Sequence, residues 1–575
     1  MATYTYRALS SERAVRMLQL EELNSENIST VRCSLIEVDL DELGLTYQAF
    51  CYTGDDDPVP LNYYFTFPTL LWVDAICINQ NDHKERMQQV ALMREIFGRA
   101  SQVVAWLGRA SEHTVPAFRL LFGLADLYDT DADIAGQYVS HVVRHESFQG
   151  HWVALGELLD REWWRRVWVI QEITLARKAV LLCGPYAADW ERVRKATAGF
   201  NSCMLYMGEI LEATVPYGQP RRFSPFRRGA AGMRVFRQLR FEKWERPYLS
   251  TAKPPSKGAF LCLLDIATDY QSKDKRDKVY AILGLSEELN GRQPLCADYT
   301  KSVCEVYMET ARLIFEDMGC LEFLNQVEKN RDLSGVDPVL PSWVPDWAVP
   351  SNQQSCLRGG LHRPKLAPLD TGKARDGMEK FSFTCGSTAR CDFCFNTKTI
   401  TVEGFVVGTI GEVHQRYIDV DPDIRFEGHK RFCKRITWGY PRASEVFERH
   451  SYWLGWLGFQ SSFPPPRITV GIDERRRSVR QWAINTTRCF KVTRGKSCLL
   501  ACSDGLVQPG DFVCALFGGN MPYILRPKGD SWLFIGQWQV IVPINLIVLP
   551  KDMMNGKIME YFRAGHLTKQ EFVIK

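Results

Sequence analysis

Residues 70–108 read LLWVDAICINQNDHKERMQQVALMREIFGRASQVVAWLG, and this stretch decides the fold of the first part of the chain. Leu70 to Asp74 is a short apolar run ending in a carboxylate, the pattern of a buried strand. Asp82 followed three positions later by Glu85 marks a helix start, because the Asp side chain can accept from the first free amides. Val90, Met93, Phe97 and Ala100 then recur at helical spacing and predict one buried face. Gln102 to Leu107 is a second buried strand stopped by Gly108. Strand, helix and strand with short links predict a βαβ unit with parallel strands.

Outward from this unit the alternation continues. Tyr47 to Gly54 reads as a preceding strand, Val115–Tyr128 and Arg161–Ala176 as helices, and Ala179–Cys183 as a further strand closed by Gly184-Pro185. The expectation is an open parallel α/β sheet. The run between Tyr52 and Leu70 holds Pro58, Pro60 and Pro68 and has no helical period. It therefore reads as lacking the first crossover helix, through a mis-called exon in the gene model. Residues 201–330 read as mostly helical, with Val279–Leu285 and Val303–Phe315 as helices. Residues 331–398 read as linker and loops rich in Pro, Gly, Ser and Asp. From 399 to 575, β-branched runs at Thr401–Gly408, Cys489–Thr493 and Phe512–Phe517 alternate with Gly and Pro, predicting a β-rich C-terminal domain with Trp538–Asp552 as an insertion.

Composition narrows the function classes. The 575 residues carry 71 Lys+Arg against 67 Asp+Glu, a net charge of +4, too balanced for nucleic acid or an anionic membrane as main partner. Arg221–Arg246 interleaves basic and aromatic residues, as single-strand nucleic-acid grooves do, but also as a solvated helix face does. The longest apolar stretch, Trp538–Pro550, is too short to span a bilayer, and Met1–Arg7 does not open a signal peptide. The 18 cysteines sit mostly singly in apolar runs, which reads as reduced thiols in a cytoplasmic protein. Cys391-x-x-Cys394 beside Cys385 invites zinc, yet no second close Cys/His pair follows, so no metal and no cofactor is expected.

Four segments in order carry a family resemblance: Leu71–Gln80 with Glu85, Gln89 and Met93; Val103-x-x-Trp-Leu-Gly108; Trp164-x-x-Arg-Val-Trp-Val-Ile-Gln-Glu172; and Asp277-x-Val-Tyr-Ala-Ile-Leu-Gly-Leu285. They resemble the fungal heterokaryon incompatibility (HET) domain, expected over residues 1–200. Pro341–Trp347 and Pro509-Gly-Asp with Leu525-Arg-Pro527 look like segments of full-length proteins of that family. The resemblance implies an effector of fungal non-self recognition that triggers programmed cell death. The family is in turn similar to TIR domains, which implies a flavodoxin-like sheet and, in NAD-cleaving members, a glutamate on the helix matched by Trp164-x-x-x-Trp168-x-x-x-Glu172. The first strand departs from the family run, since Tyr-Gln-Ala-Phe-Cys-Tyr-Thr-Gly lacks its tryptophan.

The residues themselves support two readings of Glu172. On a helix its neighbours three and four away are Trp168, Val169, Leu175 and Ala176, all apolar, so the carboxylate is desolvated and suited to stabilising an oxocarbenium-like ribose. Alternatively it pairs with an arginine, and Arg165 and Arg166 are available. Asp74 ends a strand where α/β folds bind ligands, or fixes the Ile76–Gln80 turn. The resemblance implies Glu172 as catalytic residue, with Asp55 of the glycine-aspartate turn, Asp74 and Trp168 lining a nucleotide site, NAD being a substrate and not a cofactor. The competing function is a non-enzymatic scaffold that self-associates or binds a protein partner.

Overall fold

The computed structural model describes residues 4–20, 33–53, 69–128, 145–196, 258–290, 295–327, 340–349, 384, 387–413, 488–494, 497–503, 506–543 and 558–575. The chain divides into two units, Met1–Ser256 with Tyr270–Thr300, and Lys257–Asp269 with Lys301–Lys575.

The first unit is built on a seven-stranded sheet of β1 (Ala14–Leu20), β2 (Cys33–Asp39), β3 (Gln48–Cys51), β4 (Thr69–Val73), β5 (Gln102–Trp106), β6 (Ala179–Cys183) and β7 (Tyr186–Asp189), in the order β2-β1-β4-β3-β5-β6-β7. Its centre is parallel: Gln48 lies opposite Leu71 on one side and Gln102 on the other, and Val103 lies opposite Ala179. The two strands of the 70–108 unit are parallel as expected, with β3 inserted between them. An all-parallel sheet is not what forms, because β1, β2 and β7 are antiparallel to their neighbours. The β6–β7 link is only Gly184-Pro185, and so short a link can join only antiparallel strands. Gly184 takes φ +54, where a side chain would also strike Ala110. The β1–β2 pair covers the edge of β4 with an almost wholly buried strand. The β3–β4 connection, 54–68, lies outside the described residues.

The helices follow the apolar periods, with two corrections. A short α1 (Asp74–Cys77) leads to α2 (His83–Arg99), capped by Asp82, which accepts from the Lys84 and Glu85 amides. Glu85 does not complete a capping box. It is buried, accepts from the Asn79 amide at 2.7 Å and pairs with Arg16 of β1 at 2.9 Å. The buried face of α2 is Gln89, Leu92, Met93, Ile96 and Phe97, while Val90 is only half-buried. After α3 (Thr114–Tyr128) and α4 (Gln149–Leu159), the expected single helix over 161–176 is two pieces, a 3-10 turn at Glu162–Arg165 and α5 (Val169–Leu175). The break is at Arg166, held extended (φ −70°, ψ 132°) by a parallel bridge to Gln271. Trp164 and Glu172 are therefore on different elements. Next come α6 (Ala259–Thr268), part of the second unit, and α7 (Asp277–Asn290), part of the first, where it packs on α5 and α2.

In the second unit, α8 (Val303–Met318) starts with a Ser302–Glu305 capping box and stops at Gly319 with φ 68°. The strands β8 (Cys391–Cys394), β9 (Thr399–Val413), β10 (Arg488–Arg494), β11 (Ser497–Ser503), β12 (Phe512–Leu516), β13 (Tyr523–Lys528), β14 (Ser531–Pro543) and β15 (Gln570–Ile574) form a second sheet, and α9 (Ile558–Arg563) precedes β15. Its antiparallel pairing β9-β10-β11-β14-β13-β12 returns to β9, closing the ring and leaving no bare edge along it. Trp538–Pro543, expected to open an insertion, is the second half of β14 and pairs with β11. The two tryptophans of the 341–347 motif are fully buried anchors: Trp343 donates to the Lys398 carbonyl (3.0 Å) and Trp347 to Gln326 (2.7 Å). Asp511 of the Pro-Gly-Asp turn is buried against Arg526 at 2.7 Å, which accounts for that pair of motifs.

Candidate functional site

Side chains from three elements meet at the carboxyl end of β3. The chain leaves β3 for β4 on one side and then reaches β5 on the other, so the strand order reverses at β3, where open α/β sheets bind ligands. Cys51 and Tyr52 end β3, Asp74 follows β4, and Arg166 and Glu172 come from the break before α5 and its first turn.

Glu172 is 3% exposed, and every residue of α5 is buried. Burial pushes its carboxyl up from 4.5 to about 7, against the pull of the Arg166 guanidinium, while nearby Asp74 pushes the same way as burial. Its Oε2 has no hydrogen-bond partner among the described residues. Beside it the Cys51 thiol is held well above its ordinary value by burial and by the Glu172 charge, both of which disfavour the thiolate. Arg166 lies 3.8 Å from Asp74 and donates to the Tyr52 carbonyl. Asp74 is half-buried, and its Oδ1 accepts from the Ala75 amide at 2.8 Å. Burial raises its carboxyl above the usual value, opposed first by Arg166.

Of the residues expected at the site, Asp74 and Glu172 flank the same arginine. Trp168 is the N-cap of α5 and accepts the Glu172 amide through its carbonyl (3.1 Å), but its indole faces Asp277. Asp55 lies outside the described residues, as do Arg221–Arg246 and Cys385. Cys51 and Tyr52 were not expected at the site. Their only signal in the sequence is that the strand ending at them is followed by Gly54 and a run of aspartates. Arg166 was expected only as a pairing partner of Glu172, and it serves Asp74 as well.

No His/Cys/Asp/Glu group among the described residues is arranged to hold a metal; Cys391 is buried and Cys394 exposed, on opposite sides of β8. No described helix is long and apolar enough to cross a membrane.

The geometry thus defines an α/β domain with a buried, protonatable carboxyl beside an arginine and a second carboxylate at the reversal point of its sheet. Residues 64–172 match the family described as heterokaryon incompatibility protein (HET), the match ending at Glu172 itself. The chain is also 23% identical over 568 residues to heterokaryon incompatibility protein 6, OR allele, of Neurospora crassa, covering 82% of this chain and 80% of that protein. No solved structure matches.

Proposed function

We propose that this chain is an effector of fungal non-self recognition whose HET domain cleaves NAD or a related nucleotide, with Glu172 as the catalytic residue. The observation that carries the reading is a buried glutamate, poised near neutrality, whose Oε2 has no hydrogen-bond partner among the described residues and which shares Arg166 with Asp74. In this reading the bond from ribose C1′ to nicotinamide breaks, and nicotinamide leaves neutral with the electron pair. The ribosyl cation is stabilised by the Glu172 anion, water adds to C1′, and Glu172 accepts the released proton before passing it to solvent. Arg166 keeps a fraction of Glu172 ionised, and Asp74 orients Arg166. The parallel strands run in the order second, first, third, fourth, which agrees with a flavodoxin-like and so TIR-like reading of the domain. Death signalling in the cytoplasm, through self-association or a protein partner, belongs to the same proposal.

The test is full-length chain with NAD, with products measured at rising protein concentration. Glu172→Gln should lower turnover by about two to three orders of magnitude, the usual worth of one transition-state electrostatic contact. Cell death without NAD loss, or a Gln variant as active as the parent, would end the enzymatic reading in favour of assembly alone.

A further inference from the structure

The segment Tyr270–Thr300 belongs to the first unit, yet the chain on both sides of it, Lys257–Asp269 and Lys301–Lys575, belongs to the second. Each end of this excursion is tied to a residue flanking α5. At its start, Gln271 bridges Arg166, and its carbonyl accepts from the Val167 amide at 2.9 Å. The neighbouring Tyr270 carbonyl accepts from the buried Lys278 ammonium, which folds the start of the segment back on α7. At its end, the Tyr299 hydroxyl donates to Asp277 at 2.7 Å, and the same carboxylate faces the indole of Trp168, the N-cap of α5. Tyr299 is itself clamped, with the Arg86 guanidinium 3.8 Å from its ring centre and Arg276 donating to its carbonyl at 2.7 Å. Between these ends α7 lies against α5 at Gly284, where an added Cβ would come within 3.1 Å of the Gln171 side-chain amide. Gln171 completes the contact by donating to the Ala281 carbonyl (3.0 Å) and accepting from the Arg94 amide (3.2 Å).

The backbone leading into Glu172, at Arg166 and Val167, is therefore set from outside its own helix. Arg166 would otherwise be free to join a continuous helix over 161–176, as its sequence invites, and that would carry it away from its place beside Tyr52 and Asp74. We propose that Gln271, Asp277 and Tyr299 are positioning residues for Arg166 and Glu172, and that the segment 270–300 is a strap through which the second unit controls the site. The control rests on the reading of Glu172 given above; the positioning does not. The physical reason for control is continuity. A movement of the second unit that pulls on residue 269 or 301 acts directly on the bonds at Gln271 and Tyr299.

The experiment uses the full chain and three variants: Tyr299→Phe, which keeps the ring for Arg86; Asp277→Asn; and a chain with flexible Gly/Ser insertions at both Asp269/Tyr270 and Thr300/Lys301. Hydrogen exchange of amides 166–175 should rise about tenfold in each, the loss expected from one or two hydrogen bonds, while exchange in β5 and β6 stays unchanged. The carboxyl infrared band assigned to Glu172 by its absence in Glu172→Gln should titrate at lower pH in the variants, because a loosened α5 admits water. Asp277→Glu, which keeps the acceptor, should restore part of the protection. Unchanged exchange and titration in Tyr299→Phe and Asp277→Asn would overturn the positioning role, and an effect of those two without one from the insertions would overturn the control by the second unit. A full chain that cleaves no nucleotide, while its variants still show these exchange changes, would end the enzymatic reading and keep the positioning.

Discussion

Glu172 concentrates the consequences of burial in one carboxyl. Its folded value of about 7 lies above the ordinary 4.5, so between these values the folded protein binds more protons than the unfolded chain. Stability contributed by the neutral form is present below pH 4.5 and is lost as pH rises through 7. The loss is at most about 3 kcal/mol for a shift of this size. Wild type should therefore melt progressively lower than Glu172→Gln as pH goes from about 4 to 7, and the two should converge at about pH 4. Parallel melting curves across that range would mean that Glu172 is solvated. Activity should move oppositely, since it needs the anion: turnover should rise through pH 7 with a slope of one proton. Arg16 poses the reverse case, a cation buried to 4% and paired with Glu85. Arg16→Met strands the Glu85 charge and should cost about 3–5 kcal/mol in urea unfolding, whereas Arg16→Met with Glu85→Leu should cost much less than the sum.

Among the elements, α5 is the one whose character differs most from its sequence. Buried on every side, it has no solvent face, and its seven residues cannot be read as an amphipathic helix. It must be covered by α2 on one side and α7 on another. Gly284 of α7 is the closest approach, and here helix propensity and packing oppose each other. Gly284→Ala gains about 1 kcal/mol of propensity. The new methyl meets Arg94 Cβ at 3.0 Å and a Gln171 amide held at both ends, so neither neighbour can yield. Overpacking costs about 1–3 kcal/mol, and the net effect should be destabilising. The measurement is thermal unfolding of Gly284→Ala, and an unchanged or raised Tm would show that α5 and α7 can separate at no cost.

At the scale of the whole molecule, the first unit is not contiguous in sequence. A fragment ending at residue 200 lacks α7 and Tyr299, and so uncovers a face of α5 and frees Arg166. It should lack a cooperative thermal transition, whereas a fragment of residues 1–300 with 257–269 replaced by a Gly/Ser linker should regain one in calorimetry. A sharp transition in the shorter fragment would place the strap outside the folding unit.

The strands and helices of 70–108 and the β-rich runs after 399 were legible in the sequence, because each is written in local periodicity, and the apolar residues three and four positions from Glu172 pointed to its burial. Sheet direction at the edges was not, since it depends on which distant segment fills each edge, as β1 does beside β4. The break at Arg166 was illegible for the same reason: locally its segment favours a helix, and only Gln271, more than a hundred residues away, holds it extended. Cys51, Asp74, Arg166 and Glu172 are chemically ordinary one at a time. Burial of one charge beside two others, which tertiary packing alone supplies, is what moves Glu172 to neutrality.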